Sequence, residues 1–301
     1  MPARYLNQLI HYCGLLSLAL LLSTCDVVNP SEEIPSYLYI EAPRLNTDPA
    51  QQGSDSENIT EVWVSINDRF IGAYRLPIRV PVLAQGETQV RIEAGIRENG
   101  ISSSPDIYPF YTSFERTVDL QPLEVDTLRP SIQYQEEVKF GFIETFENDQ
   151  QIFNQVFTGS ADRGIKLSTD VVFEGNSSGL LELDTANALL EIGAMRRFDD
   201  LLDNGLSVYL EVNYRSEVPA SFGVLGFPAN SDAPDFVAYE AGFLPSDEWQ
   251  KIYLNLTPVV LEGNRDTYQI LLRTFIPTND DGTFSRNTAK VWIDNVKLLY
   301  F

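Results

Sequence analysis

Val62, Val64 and Ile66 take every second place in the stretch EVWVSIND, with Trp63 and Ser65 between them. A period of two sends the first set to one face of an extended strand and the second set to the other. The same short alternating segments recur to the end of the chain. Each is closed by Gly, Pro, Asn or Asp, and long helical periodicity is nearly absent. A strand with one apolar face must bury it against a second layer, so the expected fold class is all-β, built from antiparallel sandwiches. Apolar residues make up 44% of the 301, enough for real cores, and the length exceeds one compact domain. Two domains are expected.

The first residues follow a different logic. Gly14 to Leu22 (GLLSLALLL) is an apolar run of nine, about 14 Å as a helix. A bilayer core of about 30 Å needs around 20 apolar residues, so this run is too short to span. It has the size of a signal-peptide core, with Arg4 supplying the positive charge before it. Leu22-Ser23-Thr24-Cys25 resembles the lipobox of bacterial lipoproteins. The resemblance implies a diacylglyceryl group on the Cys25 thiol and cleavage of residues 1–24. An ordinary secretory signal cut nearby, leaving a free thiol, is the other reading. Residues 25–36, with Glu32, Glu33, Pro30 and Pro35, read as a polar spacer between lipid and first domain. The protein is therefore expected in the cell envelope, lipid-anchored, at the periplasmic or surface face of the outer membrane.

Cleavage there removes His11, the single histidine, and Cys13, the only cysteine besides Cys25. Without imidazole or free thiolate, Ser-His-Asp and Cys-His catalysis and ordinary zinc, copper or non-haem iron sites are excluded. Oxygen-ligand cation sites and carboxylate pairs survive. The net charge is −22 over the whole chain, with the acids dispersed. Such a field makes nucleic acid a poor partner, and no nucleic-acid binding is expected.

Residues 37–130 are expected to form an immunoglobulin-like sandwich. Its strands come from YLYIEAP, EVWVSIND, RFIGAY, PIRVPVL, TQVRIEAGI and FYTSFERTVDL, with turns at Asn67-Asp68 and Gln85-Gly86. VSINDRFIGAYRLPIRVPVL also resembles a PEGA-type repeat. Glu98–Pro109 (ENGISSSPDIYP) reads as a long loop, either a partner contact or a plain connector. Residues 131–139 are expected as a linker.

The remaining stretch, 140–301, carries Phe142 and Phe146-Glu147, then Glu174 to Gly179 (EGNSSG). Trp249, Lys251, Tyr253 and Leu256 follow, and Val291 to Leu298 (VWIDNVKL) closes the series. In this order they resemble the galactose-binding-like jelly roll, a family that includes many carbohydrate-binding modules. The fold serves many roles, so the resemblance alone does not assign sugar binding. It implies a structural Ca²⁺ held by Glu147 and Asp294, with Glu144 as a third ligand. On strict alternation Asp294 shares a face with Trp292, Val296 and Leu298 unless a bulge intervenes. A carboxylate in that company needs donors or a cation, and the simpler reading is that Asp294 caps backbone amides around Asn295.

For sugar binding, loop-rich stretches offer Phe227, Phe236, Tyr239 and Phe284 as aromatic platforms, each equally readable as a loop anchor. Trp249 and Trp292 sit at core-type positions. Arg196 and Arg197 either bind a substrate carboxylate or pair with Asp199 and Asp200, surface pairing being the plainer reading. Glycoside hydrolysis would need only two carboxylates, but no segment resembles a hydrolase motif, so no catalytic residue is assigned. The expected function is a non-catalytic, structural or accessory role in an envelope protein complex. Surface glycan binding through the jelly roll is the alternative, and a glycoside hydrolase ranks below both.

Overall fold

A computed structural model describes residues 33–101, 103, 105–202 and 207–301. The expected signal peptide, the lipidation site Cys25 and the linker up to residue 32 lie outside the described residues. No helix among the described residues is long and apolar enough to cross a membrane.

The chain is all-β. In its first part, β1 (Ser36–Ile40), β2 (Arg44–Leu45), β3 (Glu61–Ile66), β4 (Arg69–Arg75) and β5 (Ile78–Val82) precede β6 (Gly86–Arg97). Then come β7 (Pro105–Ile107), β8 (Phe114–Leu120), β9 (Val125–Leu128) and β10 (Ser131–Ile132). One sheet runs β5-β1-β9; the other runs β4-β3-β6-β7, with β8 also on β6. Alternation is the cause of the sandwich. Leu38 and Ile40, Val62, Val64 and Ile66, Val80 and Val82, and Val90 and Ile92 meet in one core. The Asn67-Asp68 turn joins β3 to β4 with both residues at positive φ, 47° and 62°, the geometry that matches strand twist in a two-residue hairpin.

The second part opens with β11 (Lys139–Glu144), β12 (Phe153–Thr158), β13 (Lys166–Ser168) and β14 (Ser178–Asp184). It continues with β15 (Leu189–Phe198), β16 (Val208–Ser216), β17 (Ala220–Phe227), β18 (Phe236–Phe243) and β19 (Ser246–Asn255). A short helix, α1 (Thr257–Gly263), precedes β20 (Thr267–Phe275) and β21 (Thr288–Tyr300). Two antiparallel sheets face each other as a jelly roll: β13-β14-β21-β16-β19 with β11 beside β21, and β12-β15-β20-β17-β18. Between them lies the largest core, with Phe146, Phe153, Phe222, Leu210, Ile270 and Val291 among its members.

The two sandwiches share a third apolar cluster. It joins Tyr108, Phe110, Tyr111, Ile132 and Tyr134 of the first part to Tyr209, Tyr253 and Leu299 of the second. Residues 131–139, read above as a linker, contribute β10, which pairs in parallel with β2, and bury Ile132 and Tyr134. Of the expected Glu98–Pro109 loop, Pro105–Ile107 instead form β7 against β6, while Glu98, Asn99 and Tyr108 belong to the same joint. The Asn99 N–H donates to the Tyr253 carbonyl (2.8 Å), and Glu98 accepts from the Tyr209 hydroxyl (2.5 Å) and Asn255 Nδ2 (3.1 Å).

Strand β21 departs from strict alternation. Asn295 takes a positive φ of 47°, and the register slips so that Asn213 faces Asp294 while Glu211 faces Lys297. Trp292 and Asp294 stay on the outward face. Val296 and Leu298 turn into the core between the sheets. The bulge corrects the shared face expected for these four residues. Trp292 is thus buried outside that core, with the Arg215 guanidinium over its ring at 5.7 Å.

Candidate functional site

Each sheet of the jelly roll has an outward face, and the first sandwich covers one of them. On β16, β19 and β21 the outward side chains include Glu211, Lys251 and Lys297, all buried. Lys251 Nζ donates to Glu211 at 2.6 Å, and Tyr108 and Tyr134 donate to the same carboxylate at 2.9 Å. Lys297 Nζ donates to the Ser54 carbonyl at 2.6 Å. Burial alone would push the Glu211 carboxyl up, but the two ammonium groups and the hydrogen bonds outweigh it and hold it below the usual range. Burial moves Lys297 the opposite way, down to about 8, against the pull of Glu211. The hydroxyls of Tyr108, Tyr111, Tyr134 and Tyr253 are all pushed well up by burial and by the Glu211 charge. Around Glu211 this face is a structural joint.

The outward face of the β12-β15-β20-β17-β18 sheet lies open. Register fixes which residues share it: Gln155 pairs with Gly193, Glu191 with Arg273, and Gly193 with Leu271. Farther across, Ser221 pairs with Arg273, Leu225 with Gln269 and Gly223 with Tyr239. One glycine lets an aromatic ring down onto the sheet: a side chain at Gly193 would meet the Phe157 ring at 2.6 Å. Gly223 instead admits the backbone of β18, whose Ala238 carbonyl a side chain there would meet at 2.1 Å, beside the bulge that sets Tyr239 against it. Phe157 remains 43% exposed. Tyr239 reaches across the strands, packs on the small cluster of Leu225, Phe227 and Leu271, and donates its hydroxyl to Glu191 at 2.7 Å. Burial and that hydrogen bond push the Tyr239 hydroxyl well up, so it stays a donor. Gln269 Nε2 donates to Gln155 at 2.7 Å and to the Ala194 carbonyl. The result is a flat strip of rings bordered by amides, one carboxylate and two guanidinium groups, those of Arg197 and Arg273.

Of the four aromatic candidates, the structure brings two to this face. Phe227 is there but only 2% exposed, with the Arg197 guanidinium stacked at 3.6 Å from its ring centre. Tyr239 is there with Arg273 stacked at 3.9 Å. Phe236 instead packs against the inner core beside Gly263, and Phe284 sits apart in the loop bridged by Thr278. The pairing expected of Arg196 and Arg197 with Asp199 and Asp200 does not form. Arg196 donates to the Gly141 carbonyl, Arg197 binds the Ser231–Asp232 segment, and Asp200 pairs with Lys139 at 3.1 Å. Sequence reasoning missed Phe157, Glu191, Gln269 and Arg273. For Gln269 and Arg273 the one signal was the alternation in TYQILLRTF, which puts them with Phe275 on one side of a largely apolar strand.

The three carboxylates expected to hold Ca²⁺ are occupied as backbone caps. Both oxygens of Glu144 accept amides, from Phe146 at 2.8 Å and Ile152 at 2.6 Å. Glu147 accepts the amides of Asn176 (2.8 Å) and Ser177 (3.1 Å), and these bonds with the Asn176 side chain hold its carboxyl low. Asp294 accepts from Asn295 at 2.8 Å and Glu174 at 3.3 Å. Its burial outweighs those amides, and with the nearby Glu147 charge its carboxyl is pushed up to about 7. Among the described residues no group of three His, Cys, Asp or Glu side chains is placed to hold a metal ion.

No protein-family profile matches the chain, and no curated protein matches it. Solved structures do. A mutant of a family 29 carbohydrate-binding module is 13% identical, covering 54% of this chain and 86% of that one, with a TM-score of 0.34. The C-terminal family 22 carbohydrate-binding module of Xyn10B from Clostridium thermocellum is 14% identical over 54% of this chain and 94% of that one, TM-score 0.34. The enzymatically active domain of tailspike protein 4 from bacteriophage CBA120 is 12% identical over 51% of this chain and 20% of that one, TM-score 0.35. Each aligns with part of this chain, and the ligand of none of them carries over.

Proposed function

We propose that the open face of the β12-β15-β20-β17-β18 sheet binds a glycan chain, and that the protein is a non-catalytic glycan-binding component of the cell envelope. One observation carries the reading. Phe157 lies over Gly193 and Tyr239 over the Leu225, Phe227 and Leu271 cluster on an uncovered sheet, bordered by Gln155, Glu191, Gln269, Arg197 and Arg273. A sugar ring offers an apolar C–H face to stack on an aromatic ring and a rim of hydroxyls for planar amides and charged groups. Glu191, the carboxylate at the centre, is held by Thr158 and Tyr239, an arrangement suited to positioning rather than proton transfer. This geometry favours the glycan reading over an accessory role in an envelope complex, because rings and planar polar groups meet on a face that the first sandwich leaves uncovered.

A glycan array probed with the intact chain tests it. Phe157→Ala, at an exposed position, is expected to weaken binding of the best glycan at least tenfold with little change in melting temperature. Absence of any bound glycan, or binding indifferent to Phe157→Ala, overturns the reading. Lipid attachment at Cys25 belongs to the same proposal and rests on Leu22-Ser23-Thr24-Cys25 alone. Cys25→Ser is expected to abolish incorporation of labelled fatty acid and to release the protein from membranes; retained label contradicts it.

A further inference from the structure

The two arginines of the open face are stacked alike and partnered differently. Arg197, over Phe227, has its fork filled: it donates to the Ser231 carbonyl (3.4 Å), to Asp232 Oδ1 (3.3 Å) and to the Asp232 carbonyl (3.1 Å). Arg273, over Tyr239, does not. Its Nε is buried without a hydrogen-bond partner, and no ion pair among the described residues includes it. Its cross-strand neighbour Glu191 is the obvious counter-ion, but Thr158 and Tyr239 hold that carboxylate at 2.5 and 2.7 Å. On the other side its register partner Ser221 also has a buried hydroxyl without a partner. Two side chains with unmatched polar atoms therefore share one register pair of the face.

We infer that this spot reads a carboxylate, so that the glycan taken by the open face carries a uronic acid residue bound by Arg273 and Ser221. The inference deepens the glycan reading and rests on it. A guanidinium stacked on a ring keeps its N–H groups in one plane, and that fork matches the two oxygens of a carboxylate. A sugar hydroxyl offers a single acceptor and no charge, which leaves the cation uncompensated. Ser221 supplies a further donor beside it. The net charge of −22 repels polyanions at long range. The expected ligand is accordingly a largely neutral glycan with sparse uronic acid residues, not a polyuronate.

Titration calorimetry on the intact chain tests this with two probes: xylotriose bearing one glucuronic acid residue, and the same compound after reduction of its carboxyl to the alcohol. The acid is expected to bind at least tenfold tighter than the alcohol. Arg273→Gln is expected to bring that ratio below threefold. The comparison of the two probes on the unaltered protein needs no variant to fold. Equal affinity for acid and alcohol overturns the carboxylate and leaves the glycan site standing. So does failure of both probes when a neutral glycan on the array binds in a Phe157-dependent way. Absence of any Phe157-dependent glycan removes the site, and this inference with it.

Discussion

The two outward faces of the jelly roll teach opposite lessons about buried charge. On the covered face, Glu211 collects Lys251, Tyr108 and Tyr134, and Lys297 finds the Ser54 carbonyl. Only Asn213 Oδ1 is left unmatched on that side among the described residues. On the open face, a guanidinium Nε and a hydroxyl lie buried and unmatched within one strand pair. A joint between sandwiches must satisfy its polar groups internally, because nothing else will reach them. A face that receives a ligand can leave that match to the ligand.

If the covered face is a joint, breaking its charge pair should be costly. Glu211→Leu leaves Lys251 and Lys297 buried without their counter-ion, and the expected loss is about 3–5 kcal/mol in urea unfolding. A loss under about 1 kcal/mol would mean that water reaches the joint and that the two faces differ less than described. Because the tyrosine cluster spans both sandwiches, the intact chain is also expected to unfold in a single transition.

Asp294, near the rim of the covered face, sharpens the contrast through pH. Its folded carboxyl titrates at about 7 against an ordinary 3.8. The folded state therefore holds this proton where the unfolded state has lost it, and stability falls as pH rises from about 4 through 7. Between pH 5 and 8 the loss from this group is about 2–3 kcal/mol. Asp294→Asn is expected to remove that slope and to melt above the unaltered protein at pH 8. A bound cation beside Asp294 would reverse the sign, so a rise in melting temperature with calcium at pH 8, abolished by Asp294→Asn, would restore the Ca²⁺ site.

The smallest expected effect lies on the open face. Arg197→Gln loses a partly exposed stacking contact and hydrogen bonds to a surface loop, with an expected cost under about 1 kcal/mol. A cost approaching that of Glu211→Leu would make the open face another joint.

Much of the architecture was legible because period-two alternation is local. It marked β3, β5 and β6, and the Asn67-Asp68 pair marked its hairpin. What depended on distant contacts was not legible. Tyr108, Tyr134, Tyr209 and Tyr253 look like ordinary strand aromatics until the fold brings them around Glu211. The bulge at Asn295 shifts every later residue of β21 to the other face, and alternation carries no warning of it. For the candidate site, Phe227 and Tyr239 were named as aromatics in loop-rich stretches, although they lie on β17 and β18. Phe157, Glu191 and Arg273 were not, since their strand signals are the same whether the outward face is covered or free.

The central claim is that the open face, and not the joint, receives the glycan. Hydrogen–deuterium exchange of the intact chain, with and without the best glycan from the array, tests it most directly. The account predicts new protection in β12, β15, β17, β18 and β20, with the Glu98–Pro109 loop and β16 unchanged. Protection confined to that loop and β16, with β17 and β20 exchanging as before, would contradict it.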